Sequence, residues 1–129
     1  MTLLYEPQGL VFNGKDGFVG FYRKLKSVCD NVAVCFDVGN SYWVGEEPFP
    51  ILDEIISDVV HVHLKDYASL PEGDNGDEPR ELPLGSGAID MKRIVTELRS
   101  VDYDGFFSVE DATDTPIKEK CKLAKSIIA

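Results

Sequence analysis

The sequence predicts an α/β fold in which four βα units follow one another and their strands form one parallel sheet. Two observations support this prediction. Short, mostly apolar segments rich in strand-forming residues recur along the chain, and a longer segment with apolar residues at helical spacing follows each of them. Strands that alternate with amphipathic helices pair in parallel, because each helix returns the chain to the same end of the sheet.

Four segments have the length and composition of buried strands. They read TLLYE, VAVCFD, VVHVHLK and GFFSVE, and they place strands near residues 2–6, 32–37, 59–65 and 105–110. Each is short and mostly apolar, and β-branched and aromatic residues are frequent in them, as they are in strands.

Apolar residues at helical spacing predict four helices, near residues 17–29, 48–57, 89–100 and 116–128. Pro48 and Pro116 lie where a proline is expected in the first turn of a helix. In the last helix the predicted apolar face consists of Ile117, Cys121, Ala124 and Ile128.

The connection over residues 66–88 is much longer than the others. It reads DYASLPEGDNGDEPRELPLGSGA, is polar and rich in Gly and Pro, and lacks periodicity, which is typical of a functional or mobile loop. The strand–helix alternation resumes directly after it, so we expect residues 1–129 to form one domain. Its GSG segment, Gly85 to Gly87, is too short for a phosphate cradle and is expected to turn the chain into the helix near Ile89.

Composition and charge exclude several classes of function. The formal net charge of −10 disfavours nucleic acid and anionic membranes as partners. No apolar stretch approaches the roughly 20 residues that span a bilayer, and the N-terminus lacks the features of a secretory signal. Cys29, Cys35 and Cys121 are odd in number and form no CxxC pair. Buried, reduced thiols and a cytoplasmic location are therefore expected.

The predicted strands end in residues that bind metals. In βα proteins ligands bind at the carboxyl ends of the strands, and the candidates there are Glu6, Asp37, His63 and Glu110. A single acidic residue in such a place is usually a helix cap or a solvated residue, and a lone strand histidine usually belongs to the core. Three carboxylates and an imidazole on one face repel one another unless a cation neutralises them. The set of four therefore favours Mn²⁺, Mg²⁺, Co²⁺ or Zn²⁺.

The ordered segments CFDVGN, VHVHLKD, LGSGAID and YDGFFSVE resemble the second half of the xylose isomerase-like TIM barrels. That superfamily includes sugar-phosphate isomerases and epimerases, ketose 3-epimerases, hydroxypyruvate isomerase and inosose dehydratase, with endonuclease IV as a more distant relative. The resemblance begins near Leu3 and reaches the C-terminus. It implies that the four βα units correspond to strands five to eight, the second half of a TIM (β/α)₈ barrel.

The resemblance also implies a site and a chemistry. One divalent metal, with Mn²⁺ as the first choice and Mg²⁺, Co²⁺ or Zn²⁺ as alternatives, would be held by Glu6, Asp37, His63 and Glu110. Glu6 and Glu110 would also act as general bases on a sugar or sugar phosphate, through an enediolate of an α-hydroxy carbonyl substrate. His63 matches the H-x-K-D motif of the family. His61, one layer deeper, is expected to be a core residue or to support a ligand from behind.

Three further residues are predicted to bind substrate. Asn40 occupies the position where epimerases of the family often carry histidine, and it would orient substrate or water. Lys65 would meet a sugar hydroxyl or phosphate, with a salt bridge to Asp66 or Glu110 as the alternative. Arg80, in the long loop, would clamp an anionic or polyhydroxy substrate, with a solvated arginine as the alternative.

Three functions remain open at the level of sequence. The first is a metal-dependent sugar isomerase or epimerase, with an inosose dehydratase-type lyase as a variant. The second is an endonuclease IV-like DNA repair nuclease, which needs more histidines and a basic surface. The third is a non-catalytic half-barrel that retains the metal ligands. Because four parallel strands leave two unpaired edges, self-association or pairing with a missing N-terminal half is also expected.

Overall fold

The computed structural model describes residues 1–8, 13–69 and 78–129 and has the predicted parallel sheet. The strands, in chain order, are β1 (Leu3–Tyr5), β2 (Val32–Asp37), β3 (Val59–Leu64), β4 (Asp66–Tyr67), β5 (Glu81–Leu82) and β6 (Phe106–Val109). Strands β1, β2, β3 and β6 pair in parallel in that order. The prediction of four parallel strands is confirmed, and each predicted strand end is within one residue of the observed end.

The four predicted helices are also present. They are α1 (Lys15–Val28), α2 (Phe49–Ile55), α3 (Met91–Arg99) and α4 (Ile117–Ile128), and short 3₁₀ turns cover Asn40–Val44 and Ile56–Asp58. Pro48 and Pro116 are the N-cap residues of α2 and α4, one residue before the first turn. Their predicted place in the first turn was therefore wrong by one position. In the part of the chain that the structure describes, no helix is long and apolar enough to cross a membrane.

The hydrophobic core lies between the parallel sheet and its helices. Strand β2 is buried along its whole length because β1 and β3 flank it on both sides. Apolar side chains of the sheet, such as Phe36 and Val62, pack with the inner faces of α2 and α3, including Leu52 and Ile94. Burying a large aliphatic or aromatic side chain stabilises the fold by about 1.5–3 kcal/mol, so this layer fixes the strands that present the site.

The apolar face predicted for α4 is only partly correct. Ala124 and Ile127 are buried, whereas Ile117 is 74% exposed and Cys121 is exposed. The helix packs against α3 and the edge strand β6, and these contacts leave part of its apolar surface exposed. The expectation of buried thiols therefore holds for Cys35 and is wrong for Cys121, while Cys29 is half-buried.

The long connection contains a short antiparallel pair that the sequence pattern did not reveal. Strand β4 pairs with β5, and strands of two residues are too short to show periodicity. The segment over residues 70–77 lies outside the described residues.

The buried carboxylate of Asp66 fixes the end of this connection. Its Oδ2 accepts hydrogen bonds from the backbone N–H groups of Gly85 at 2.9 Å and Gly87 at 2.8 Å. Its Oδ1 accepts from Tyr67 N–H at 3.0 Å. A Cβ at Gly87 would overlap this carboxylate. The GSG segment therefore binds an internal carboxylate and leads the chain into α3, in agreement with the expected turn.

Candidate metal centre

The carboxyl end of the parallel sheet brings together the four side chains predicted as metal ligands. The register pairs Asp37 with His63 across β2 and β3. Glu6 directly follows β1, and Glu110 directly follows β6, where its backbone N–H continues the ladder to Leu64 O at 3.0 Å. One donor atom from each of the four residues lies within 4.8 Å of the others. The strand ends thus produce the convergence that alternation predicts.

The imidazole of His63 lies at the centre of this group. Its Nδ1 is 2.9 Å from Glu6 Oε1 and 3.2 Å from Glu110 Oε2. Its Nε2 points the other way and lies 3.5 Å from Cys35 Sγ. The two ring nitrogens therefore face different surroundings, one made of carboxylates and one made of a thiol.

Asp37 presents one oxygen to the protein and one to the site. Its Oδ1 accepts hydrogen bonds from the backbone N–H groups of Gly39 at 2.8 Å and Asn40 at 3.0 Å. Its Oδ2 is buried and accepts no hydrogen bond within the described part of the chain. A buried acceptor without a hydrogen bond typically costs about 1–3 kcal/mol, so this oxygen is suited to a cation.

Lys65 lies among these carboxylates. Its Nζ is 3.2 Å from Glu110 Oε2 and 3.3 Å from Asp37 Oδ2, and its side chain is only 14% exposed. The predicted salt bridge to Glu110 is present, whereas the alternative partner Asp66 is occupied by backbone N–H groups. Burial lowers the pKa of Lys65, but the charges of Asp37 and Glu110 outweigh it and leave the pKa above its ordinary value.

The two carboxyl groups near Lys65 differ in acidity. Burial raises the pKa of Asp37 to about 7, and the interaction with Glu110 adds to the rise, although Lys65 and the Gly39 N–H oppose it. Burial also raises the pKa of Glu110, but its interactions with Asp37, Lys65 and His63 outweigh burial and hold the pKa below the ordinary value. Near neutral pH Asp37 is therefore partly protonated, and a cation bound there would displace that proton.

The spacing and chemistry of these residues fit a divalent cation. Ligands on opposite sides of an octahedral Mg²⁺ are about 4.2 Å apart, twice the usual bond of about 2.1 Å. The donor atoms of the cluster all lie within 4.8 Å of one another, which is close to this ligand-to-ligand span. Three carboxylates and one imidazole suit hard and borderline divalent ions, and the buried Asp37 Oδ2 already contacts one cation, the Lys65 ammonium at 3.3 Å.

The other two residues predicted to bind substrate, Asn40 and Arg80, make contacts that do not test that role. The buried Asn40 donates its side-chain amide to Pro7 O at 2.9 Å, which ties the segment after Glu6 to the loop after β2. Arg80 is exposed, and its side chain makes no hydrogen bond or ion pair to any other described residue. Its backbone carbonyl accepts from Ala68 N–H at 2.9 Å. A substrate role for either residue stays a prediction.

Two contacts near the site were missed from the sequence. Glu81 Oε1 accepts a hydrogen bond from Ala112 N–H at 2.6 Å and joins β5 to the segment after Glu110. Ser108 Oγ lies 2.7 Å from His61 Nε2. Alternation along β6 already placed Ser108 on the inner face with Glu110, so the contact between Ser108 and His61 could have been predicted from the sequence. No pattern in the polar loop singled out Glu81.

Comparison with known proteins gives a family-level match. A family model described as xylose isomerase-like TIM barrel matches residues 2–127. An inosose dehydratase from Bacillus thuringiensis (strain Al Hakam) is 33% identical over 107 residues, which cover 71% of this chain and 35% of that protein. The chain therefore spans about a third of the length of this curated relative, 35%.

Solved structures show the same fold. A xylose isomerase-like TIM barrel protein from Mycobacterium smegmatis, solved in complex with magnesium, superposes with a TM-score of 0.73 at 18% identity, over 100% of this chain and 45% of that chain. The IOLI protein, solved with a binding zinc atom, gives a TM-score of 0.64 at 20% identity, over 98% of this chain and 46% of that chain. Both similarities support an α/β fold of the TIM-barrel type.

Proposed function

The chain belongs to the xylose isomerase-like TIM barrel family, and from that premise we propose that it serves a divalent-metal-dependent enzyme acting on a sugar or a related polyhydroxy carbonyl compound. The proposed reaction transfers a proton at the carbon next to the carbonyl group. The observation that carries the proposal is the convergence of Glu6, Asp37, His63 and Glu110, whose donor atoms lie within 4.8 Å of one another.

We propose these four residues as the ligands of one divalent cation. Bound there, the cation would polarise a carbonyl oxygen and stabilise the negative charge that develops on it. Magnesium and zinc in the two similar structures support a divalent ion, and the first choice of Mn²⁺ stays a proposal that rests on the resemblance. Asp37 and His63 would be structural ligands, since Asp37 is buried and anchored by backbone N–H groups.

Glu6 and Glu110 are the proposed general bases. They approach His63 Nδ1 from two different strands, at 2.9 and 3.2 Å, so a substrate held between them would meet one carboxylate on each side. The lowered pKa of Glu110 keeps it ionised at neutral pH and able to accept a proton. Lys65, which stays protonated beside it, would donate a hydrogen bond to a substrate hydroxyl or phosphate oxygen.

Dehydration is the first candidate for the outcome of this proton transfer. Removing the proton next to a carbonyl allows hydroxide to leave from the neighbouring carbon, and the name of the curated relative, inosose dehydratase, supports a cyclic polyhydroxy ketone as substrate. Isomerisation or epimerisation, in which the proton returns to carbon, is the second candidate, and the paired glutamates support it. The net charge of −10 and the presence of only two histidines argue against a DNA nuclease.

We further propose that the sheet is one half of a barrel that closes with additional strands. Within the described residues β1 and β6 each pair with one strand of the sheet. Leu4 and Phe106, on the same face as the site, are 43% and 77% exposed. A second copy or an N-terminal half would cover them. A monodisperse monomer in light scattering at tens of micromolar would contradict this. The three free cysteines support the proposed cytoplasmic location.

The test of the reaction is exchange of hydrogen at the carbon next to the carbonyl. The metal-loaded protein is incubated in D₂O with inosose and with ketoses, and mass spectrometry follows deuterium incorporation and loss of water. We expect exchange with wild type and with the surface control Glu119→Gln, and none with Glu110→Gln. Metal binding without exchange on any polyhydroxy ketone would favour the non-catalytic half-barrel instead.

A further inference from the structure

A second group of metal-binding side chains lies one layer below the carboxylates. We propose that Cys35, His61 and His63 form a separate site, the lower site, for a thiophilic cation such as Zn²⁺. We also propose that it competes for His63 with the four-ligand site described above, which is called the upper site. The lower site stands on its own geometry, whereas the competition rests on the proposed function of the upper site.

The sheet register creates the lower site. Cys35 on β2 is paired with His61 on β3, and His63 lies two residues further along the same face. One donor atom from each residue lies within 4.8 Å of the other two. In a tetrahedral zinc site, with bonds of about 2.3 Å to sulfur and about 2.05 Å to nitrogen, sulfur and nitrogen are about 3.6 Å apart. The observed Cys35 Sγ to His63 Nε2 distance is 3.5 Å.

The surroundings hold the two imidazoles in place for this role. The rings of His61 and His63 are perpendicular, with centroids 5.1 Å apart. Ser108, on the neighbouring strand β6, holds the His61 ring through its hydroxyl, 2.7 Å from Nε2. A hydrogen bond of this kind orients a metal-binding imidazole. Solvent would supply the fourth ligand.

The ligand set selects a different cation from the upper site. A thiolate and two imidazoles suit zinc and other thiophilic ions, whereas carboxylates suit Mg²⁺ and Mn²⁺. A cysteine binds a metal as the thiolate, so the Cys35 thiol loses its proton when the cation binds. Binding therefore forms the metal–sulfur bond with release of the thiol proton to solvent.

Proton placement on His63 makes the two sites exclusive. A neutral imidazole has one N–H and one lone pair. When Nδ1–H donates to Glu6 Oε1, 2.9 Å away, the lone pair is on Nε2 and faces Cys35. When Nε2 carries the proton, the lone pair is on Nδ1 and faces the carboxylates. A cation in the lower site thus withholds His63 from the upper site and inhibits the proposed reaction.

Titration of the metal-free protein with Co²⁺ tests the lower site directly, because a cobalt–thiolate bond absorbs in the near ultraviolet. We expect this band in wild type and also in Cys29→Ser/Cys121→Ser, which retains only Cys35 of the three thiols. Cys35→Ser should lose the band, and His61→Asn should weaken Co²⁺ binding by at least about tenfold. Thermal melts of each variant verify that it is folded.

Competition with Mg²⁺ tests the shared histidine. Excess Mg²⁺ should raise the apparent Kd for the thiolate band in wild type and leave it unchanged in Glu6→Gln/Glu110→Gln, which lacks two ligands of the upper site. A saturated, folded wild type without a thiolate band would overturn the lower site, as would a band that persists in Cys35→Ser. A band that Mg²⁺ does not affect would overturn the competition. Failure of the upper site would be seen separately. In that case Mg²⁺ would stabilise wild type no more than it stabilises the double variant.

Discussion

Replacing Lys65 with methionine removes the positive charge that neutralises the centre of the site and keeps most of the side-chain volume. The ammonium lies 3.3 Å from Asp37 Oδ2 and 3.2 Å from Glu110 Oε2. Without it, no lysine or arginine of the described residues lies among the converging carboxylates. We therefore expect Lys65→Met to be destabilising without metal and much less so with metal, because a divalent cation supplies the missing charge.

The magnitude follows from the exposure of the two partners. Breaking a buried ion pair from one side costs about 3–5 kcal/mol, and the Asp37 side chain is 0% exposed. Glu110 is 48% exposed, and an exposed pair contributes only about 0–1 kcal/mol. Protonation relieves part of the loss, since the pKa of Asp37 is already about 7. We expect a loss of about 2–3 kcal/mol at pH 8, or about 8–10 °C in Tm for a chain of this size, and a smaller loss at pH 6.

Thermal melts of wild type and Lys65→Met, at both pH values and with and without saturating Mn²⁺, measure this loss. Lys122→Met is the matched control, since Lys122 forms an exposed pair with Glu119 at 2.9 Å and should change Tm little. The reasoning is refuted if Lys65→Met loses the same stability with Mn²⁺ as without it. It is equally refuted if the loss at pH 6 exceeds the loss at pH 8.

Three further predictions concern the ligands and the turn before α3. His63→Ala should abolish the Mn²⁺-induced rise in Tm. In wild type this rise corresponds to about 2.7 kcal/mol when the Mn²⁺ concentration is one hundred times Kd. His61→Ala should lower Tm and preserve the rise. The folded-state pKa of Asp37 is raised from 3.8 to about 7, so its contribution to metal-free stability is present at low pH and declines as pH rises from about 4 to 7. Stabilisation by Mn²⁺ should increase over the upper part of that pH range. Thermal melts of metal-free Asp37→Asn should lack the pH-dependent contribution of Asp37. Gly87→Ala should lower the free energy of unfolding by about 2 kcal/mol or more in denaturant titrations, while Ser86→Ala should be nearly neutral.

The sheet and the placement of the four proposed ligands could be read from the sequence because both follow from simple periods. Period-two alternation assigns Asp37 and His63 to one face, and parallel pairing brings their strand ends to one edge. The strands β4 and β5 have two residues each, which is too few for an alternating pattern to be recognised. The exposure of Ile117 depends on how far the elements packed against α4 cover it, which the period of the α4 sequence does not report. The contact of the Lys65 ammonium with Asp37 depends on side-chain rotamers, which no sequence period encodes.

The carboxylate of Asp66 makes the long connection a natural place for engineering new specificity. Pairing of β4 with β5 holds the two ends of the intervening segment side by side, and the hydrogen bonds from Gly85 and Gly87 fasten the exit independently. Closing a longer loop between fixed ends costs only about 0.6 kcal/mol for each doubling of its length. Foreign sequence grafted between Tyr67 and Glu81 would thus meet the same anchored frame, with His63 and the start of α3 unaffected by what is inserted.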